Sequence, residues 1–412
     1  MANSVAKITG YVVKEAARGY YNTRLYSGLV KKDYSQEFQE KGAKKGDTIF
    51  VRKPAQYRVR VGANQQIQDV AEQLVPVTLP VQQGVDFTFS TREVTIDIDA
   101  GTREFGERWI KPAGSVLAST KDAEGLELAA IEAGYTIVTP ATPTLKNFLD
   151  AKAILNKFLA PKDMASRFAV IGSDVESAIS NEIKSIYNNS AAISKSIKEG
   201  TVTDVSGLTW GSSDLTYVRT AGIGAASTVT VGAPIVAGAT TITLAGADAG
   251  DVAVGDVLTF GAVRFVNPET KVAYANVLQR KVKAVNGLVV TIDPIWPVVA
   301  NPATPAERLD AARANATALP ANGSAITALG VAGTSYLCSI VFHKDATILT
   351  SVDLVKPSKV EMCDSIVVDG MNIRFIQDYS VGDDQMPNRL DLLGVFTTIH
   401  PTWIVSVETP LA

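Results

Sequence analysis

Gly46-Asp47-Thr48-Ile49-Phe50-Val51-Arg52-Lys53-Pro54 reads as one β-strand with a marked entrance and exit. Gly-Asp opens it, β-branched and aromatic residues fill it, and Pro54, which has no N–H to donate to a ladder, ends it. A polar, Gln-containing stretch from Arg58 to Glu72 follows, and then two more strands, Val75 to Val81 and Val85 to Ser90. A strand going out, a polar tip and strands coming back describe a long β-excursion rather than a compact βαβ unit.

Upstream of the excursion, Val5, Ile8, Val12 and Ala16 recur at helical spacing, with Gly19 as the expected stop. The chain then loses its period through Tyr20-Tyr21-Asn22-Thr23-Arg24-Leu25-Tyr26 and Lys31-Lys32-Asp33-Tyr34, an arm that needs a surface to lie on. Downstream of Asp97-Ile98-Asp99, the apolar stripe Trp109, Ala113, Val116, Ala123, Leu126, Ala130 and Ala133 predicts a spine helix running to Gly134 and bent at Pro112 and Gly114. From Thr144 the pattern is helix (Leu145 to Leu159), strand (Phe168 to Ile171) and helix (Ser173 to Tyr187), with Ser173 and Glu176 spaced as a capping box.

The composition changes near residue 221. From Ala221 to Asn301 the chain is rich in Gly, Ala, Val and Thr, and six short strands predict a small closed barrel or sandwich. Gly261-Ala262 and Asn286-Gly287 read as two-residue hairpin turns of types II′ and I′. Because α/β-type sequence resumes at Pro305-Ala306-Glu307-Arg308-Leu309, the segment reads as an insertion. Strands at Ser335 to Val341, Ile373 to Asp378, Leu390 to Phe396 and Trp403 to Val407 close the chain.

At 412 residues, with 46% hydrophobic and 20% charged residues, the chain is folded and multi-domain, not disordered. Its two cysteines, Cys338 and Cys363, cannot make a disulfide framework, and no C-x-x-C pair exists. No secretory leader or membrane-spanning run is read, so synthesis in a cytoplasm is expected. Net charge is −3, but residues 1–60 carry 13 Lys and Arg against 5 Asp and Glu. That +8 segment beside a −11 remainder points to nucleic acid, an acidic partner or a neighbouring copy, against the plain alternative of a solvated basic face.

Catalytic chemistry has little to work with. The only histidines are His343 and His400, and G-x-S-x-G, H-E-x-x-H and phosphate-loop patterns are missing; Gly42 to Thr48 approaches the last but has Asp47 where Lys is needed. The acidic pairs Asp97 and Asp99, and Asp378, Asp383, Asp384 and Asp391, lack the spacing of a calcium loop. No cofactor, metal or catalytic residue is assigned.

The order of parts resembles a tailed-bacteriophage major capsid protein of the subgroup with a β-barrel insertion. The resemblance rests on residues 46–54, on Ile110-Lys111-Pro112-Ala113, on Gly255-Asp256-Val257-Leu258-Thr259-Phe260-Gly261-Ala262-Val263, on Phe342-His343-Lys344-Asp345-Ala346 and on Arg389-Leu390-Asp391-Leu392-Leu393-Gly394. It implies an α+β capsid fold: an N-terminal arm (1–45), an extended loop (46–95), a peripheral domain with the spine helix (96–142), a first axial part (143–224), an inserted β-barrel (225–300) and return strands of both domains (301–412). It further implies a non-enzymatic coat protein that self-assembles through pentamers and hexamers into an icosahedral shell around double-stranded DNA. Scaffolding protein and portal are the other implied partners, DNA is held without sequence specificity, and no membrane is involved. Lys31, Lys32, Lys44 and Lys45 are the expected contacts to a neighbour or partner. The competing readings are a carboxylate-dependent glycan hydrolase and a monomeric adhesion or receptor-binding protein that uses the barrel.

Overall fold

A computed structural model describes residues 6–32, 48–60, 62–79, 82–96, 106–186 and 207–411, with backbone alone for 6–13, 94–96, 164 and 183–186. The predicted Lys44, Lys45, Asp97 and Asp99 lie outside these residues. The chain forms two compact units, one made of residues 1–51, 75–125 and 347–397, the other of 52–74, 126–346 and 398–412.

In the first unit the N-terminal helix runs Ala6–Thr23, so Gly19 is inside it and not its stop. The reason is a helix crossing. A Cβ on Gly19 would stand 2.2 Å from the Lys111 carbonyl oxygen, and one on Gly114 would stand 2.3 Å from that of Ala16. Both glycines let two backbones touch, and the Ser115 hydroxyl donates to the Gly19 carbonyl at 3.3 Å across the same contact. Gly114 is therefore a helix-contact residue. The spine helix is Lys111–Ile131, entered through a π-helical turn at Gly106–Ile110 and shorter than expected.

The arm thus lies on its own subunit through residue 32. Tyr20 and Tyr26 are fully buried, and the buried Asp122 of the spine helix accepts the backbone N–H groups of Leu25, Tyr26 and Ser27 at the start of the short helix Tyr26–Leu29. A carboxylate at a helix N-terminus satisfies donors that the helix itself leaves unpaired. Beside it, Met362–Val368, Met371–Gln377, Gln385–Leu392 and Gln83–Ser90 form a four-stranded antiparallel sheet. Its first hairpin turns on Asp369-Gly370, both at positive φ, which is the type I′ geometry that Asp-Gly prefers.

The second unit holds two larger sheets. In the central one, Ile404–Pro410 and Ser335–His343 lie in the middle, flanked by Tyr135–Val138, Arg167–Ile171 and Thr209–Ser212, with Val218–Thr220 also paired to Ser335–His343. The helix Leu145–Lys157 begins on a capping box between Thr144 and Asn147. The helix Ser173–Ile186 does not use the box read from Ser173 and Glu176. Asp214, from a distant loop, accepts both the Ser173 hydroxyl at 2.6 Å and its N–H at 3.1 Å.

The inserted sheet is seven-stranded and antiparallel, ordered along Ala273–Lys281, Val257–Val266, Ala325–Ala328, Val229–Val231, Thr241–Ala245, Val289–Thr291 and Ala284–Asn286. Its two end strands, Ala273–Lys281 and Ala284–Asn286, are separated only by Val282 and Lys283, whose N–H groups donate to the carbonyls of Asp256 and Thr291 at 2.9 and 2.8 Å, so the sheet curls back on itself as the barrel reading expects. Gly261-Ala262 does not turn: Val257–Val266 is one strand, and the register shifts between Phe260 and Arg264, so these residues form a bulge. The second predicted turn moves by one residue. Asn286 pairs with Val289, leaving Gly287-Leu288 as the loop with only Gly287 at positive φ, as type II′ requires.

The boundary at residue 300 also moves. Ala325–Ala328 pairs with Val257–Val266 on one side and Val229–Val231 on the other, so it joins the two halves of the inserted sheet. A fragment spanning about residues 221–334 is therefore expected to give a dispersed amide spectrum and a cooperative melt. One ending at residue 300 lacks the joining strand and is expected to give neither; equal behaviour of the two would refute this account of the sheet.

Candidate functional site

The inserted sheet and the central sheet meet over one hydrophobic core. Phe265 stacks edge-on against Phe158 at 5.1 Å and faces Tyr135 at 5.8 Å, while Val229, Leu258 and Leu278 share the cluster that holds Phe148, Ala169 and Val405. Beneath that apolar contact runs a chain of buried charges that no motif announced. Glu408, with no exposed surface, takes Lys281 Nζ at 2.7 Å on one oxygen and Arg219 at 2.7 and 3.0 Å on the other. Arg219 reaches on to Asp256 at 2.8 Å, whose carboxylate also accepts N–H groups from Gly222, Ile223 and Ala253. Lys281 also donates to the Ala130 carbonyl at 2.7 Å.

Each charge stands at a junction. Glu408 is on a middle strand of the central sheet, Arg219 on the strand leading into the insertion, Lys281 at the end of the strand Ala273–Lys281, and Asp256 just before the strand Val257–Val266 that pairs with it. Burial works against ionising Glu408, but Lys281 and Arg219 more than offset it and hold the carboxyl below its usual range. The available signal was a lone charge in apolar strand sequence, as in Ile404-Val405-Ser406-Val407-Glu408.

Of the predicted contact residues, Lys31 and Lys32 form a short parallel strand opposite Ile348 and Leu349 and are half-buried. Lys32 pairs with Asp369 of the type I′ turn, as does Arg24, and its Nζ donates to the Gly28 carbonyl at 3.4 Å. The Asp-Gly pair that makes this turn was legible in the sequence and was missed.

The acidic residues do not converge. Asp391 is buried between Arg374 and Arg389, each at 2.6 Å. Asp384 takes the hydroxyls of Tyr379 at 3.0 Å and Thr91 at 2.7 Å, and Asp383 that of Ser380 at 3.2 Å. Among the described residues no group of three or more His, Cys, Asp or Glu is placed to hold a metal. Burial pushes the Cys338 thiol up to about 12. His400 stacks on Trp403 with ring centroids 4.2 Å apart, and His343 meets the same ring edge-on at 5.4 Å. Burial, and then the charge of Lys53, lower the pKa of His400 to about 4.

Two outcomes follow from this geometry. Arg219→Met leaves Glu408 and Asp256 buried without their shared cation, and should cost on the order of 3–5 kcal/mol in urea denaturation of the unassembled subunit. A loss under about 1 kcal/mol would show the network to be incidental. For His400, the unfolded chain binds more protons than the folded one between its ordinary value near 6.5 and about 4. Stability therefore falls as pH drops through that window, by at most about 3 kcal/mol. His400→Phe should flatten this slope, and an unchanged slope would refute the assignment.

The model of one protein family, described as "P22 coat protein - gene protein 5", matches residues 1–406. No curated protein matches the chain. Among solved structures the chain is similar to one titled for Mycobacterium phage Che8, at 10% identity and TM-score 0.46 over 93% of this chain and 90% of that one. It is also similar to the capsid of Cyanophage P-SCSP1u, at 9% identity and TM-score 0.47 over 93% and 86%. The CUS-3 coat protein I-domain is 30% identical over 25% of this chain and 95% of that one, with TM-score 0.20.

Proposed function

Because the chain belongs to the P22 coat protein family, it is a major capsid protein that forms the shell of a phage head, and we propose that the shell closes through pentamers and hexamers. The family match over residues 1–406 carries this reading. Scaffolding protein and portal complete the assembly, and the shell packages double-stranded DNA without reading its sequence. The protein is made in the host cytoplasm and catalyses no reaction. Among the described residues no helix is long and apolar enough to cross a membrane.

Physical features support a self-assembling subunit. Tyr57, Val59, Ile67 and Val70, all on the excursion, are each more than half exposed, and neighbouring copies can cover such residues. A near-neutral subunit also limits sequence-independent attraction to packaged phosphates. The basic N-terminal segment, with Lys31, Lys32, Lys44 and Lys45, acts between subunits or toward an acidic partner. Lys32 has a second task, since its pairing with Asp369 holds the segment to its own subunit.

The expected product of purified chain with scaffolding protein is a closed shell, seen by sedimentation velocity and negative-stain microscopy. Stable monomers under every assembly condition would overturn the capsid mechanism. Lys44→Glu with Lys45→Glu should weaken assembly most at low salt and least at high salt, because exposed charges are screened over about 8 Å at physiological ionic strength. Normal assembly at all salt concentrations would return these lysines to the role of a solvated face.

A further inference from the structure

The excursion at Arg52–Leu74 belongs to the same compact unit as the inserted sheet. Among the described residues between Pro54 and Glu72 no strand is formed, so their backbone polar groups need other partners. Several of them find partners in one segment, residues 299–313. Arg308 spreads its guanidinium between the carbonyls of Ile67 at 2.7 Å and Ala303 at 2.8 Å. The Asp69 N–H donates to the Pro305 carbonyl at 3.2 Å, and Arg313 reaches the Ala71 carbonyl at 3.5 Å. From the outgoing limb, Arg58 donates to the carbonyls of Val299 and Ala300, each at 3.4 Å, and its own N–H donates to Gln68 on the returning limb at 3.1 Å.

We propose that Arg308, with Arg58 and Arg313, clamps the excursion to the segment 299–313 of its own subunit and thereby aims it before subunits meet. The assembly part of this proposal rests on the capsid reading above; the clamp itself does not.

The holder is built to be stiff. The helix Pro305–Arg313 starts on a capping box between Thr304 and Glu307 with Pro305 in its first turn, and Ala311 and Ala312 are buried. Arg313 lies over the Trp296 ring at 5.2 Å. What is held is main chain. The arginines use up carbonyls and leave Tyr57, Val59, Ile67 and Val70 pointing to solvent. Such an arrangement fixes direction without consuming the apolar side chains that a second copy can cover. A guanidinium suits the task because its rigid fork bridges two carbonyls, which the single ammonium of Lys does less well. These are positioning residues, acting through the excursion they orient.

The test uses the full chain. Hydrogen exchange on unassembled subunits reads the peptide containing Asp69, and assembly with scaffolding protein reads particle size by electron microscopy. Arg308→Ala should speed exchange there about tenfold or more, with Arg308→Lys intermediate and the inserted sheet unchanged, and should broaden the distribution of shell sizes. Unchanged exchange in both Arg308→Ala and Arg58→Ala would overturn the clamp. Faster exchange with shells of normal size and yield would overturn its aiming role. Should Arg308→Ala raise exchange in the inserted sheet as well, Arg58→Ala decides alone, since that side chain is carried by the excursion. If the unmodified chain forms no shells, the capsid mechanism fails while the exchange result still judges the clamp.

Discussion

Glu408 holds a negative charge with no exposed surface, and the second compact unit is organised around what that charge requires. A buried carboxylate is tolerated only when cations and hydrogen bonds replace its lost water, and here the replacements come from segments far apart in sequence. Arg219 reaches it from the strand that leads into the insertion and Lys281 from within the inserted sheet, and Asp256 extends the network to the start of the strand Val257–Val266. Three carboxylate and cation contacts at 2.7–2.8 Å demand that both sheets arrive in one geometry. The apolar packing of Phe265 on Phe158 and Tyr135 supplies area, while the charges supply specificity of position.

The first unit solves a different problem with backbone contact. Gly19 and Gly114 bring two helices close enough that any side chain at either position would strike a carbonyl oxygen. Asp122 then turns the chain by accepting successive N–H groups, and Lys32 and Arg24 fasten it to the Asp369 turn. A segment that looked like a free arm is, as far as residue 32, part of its own subunit.

For a coat protein, these two arrangements separate what must be rigid from what must be shared. The sheets and the helix crossing bury their polar groups internally. The excursion has its carbonyls held by arginines and its apolar side chains exposed, a division that suits contact between identical copies. Solvation favours burying such side chains on a neighbour, and pre-alignment reduces the entropy lost when that contact forms.

The sequence by itself determined the order of parts: the excursion bounded by Pro54, the apolar stripe from Trp109 onward, the shift to short strands at residue 221 and the lack of catalytic spacing. These are local signals, set by periodicity, by proline and by composition. Tertiary structure decided whatever depended on a distant partner. It put Gly19 inside a helix because Lys111 lies across it, and made Gly261-Ala262 a bulge because the Val257–Val266 strand continues along its neighbours. It replaced the Ser173 capping box with Asp214, and drew Ala325–Ala328 into the inserted sheet from beyond its apparent end. It also gathered Arg219, Asp256, Lys281 and Glu408, because a charge in an apolar strand states only that partners are needed, and only the folded chain determines which residues they are.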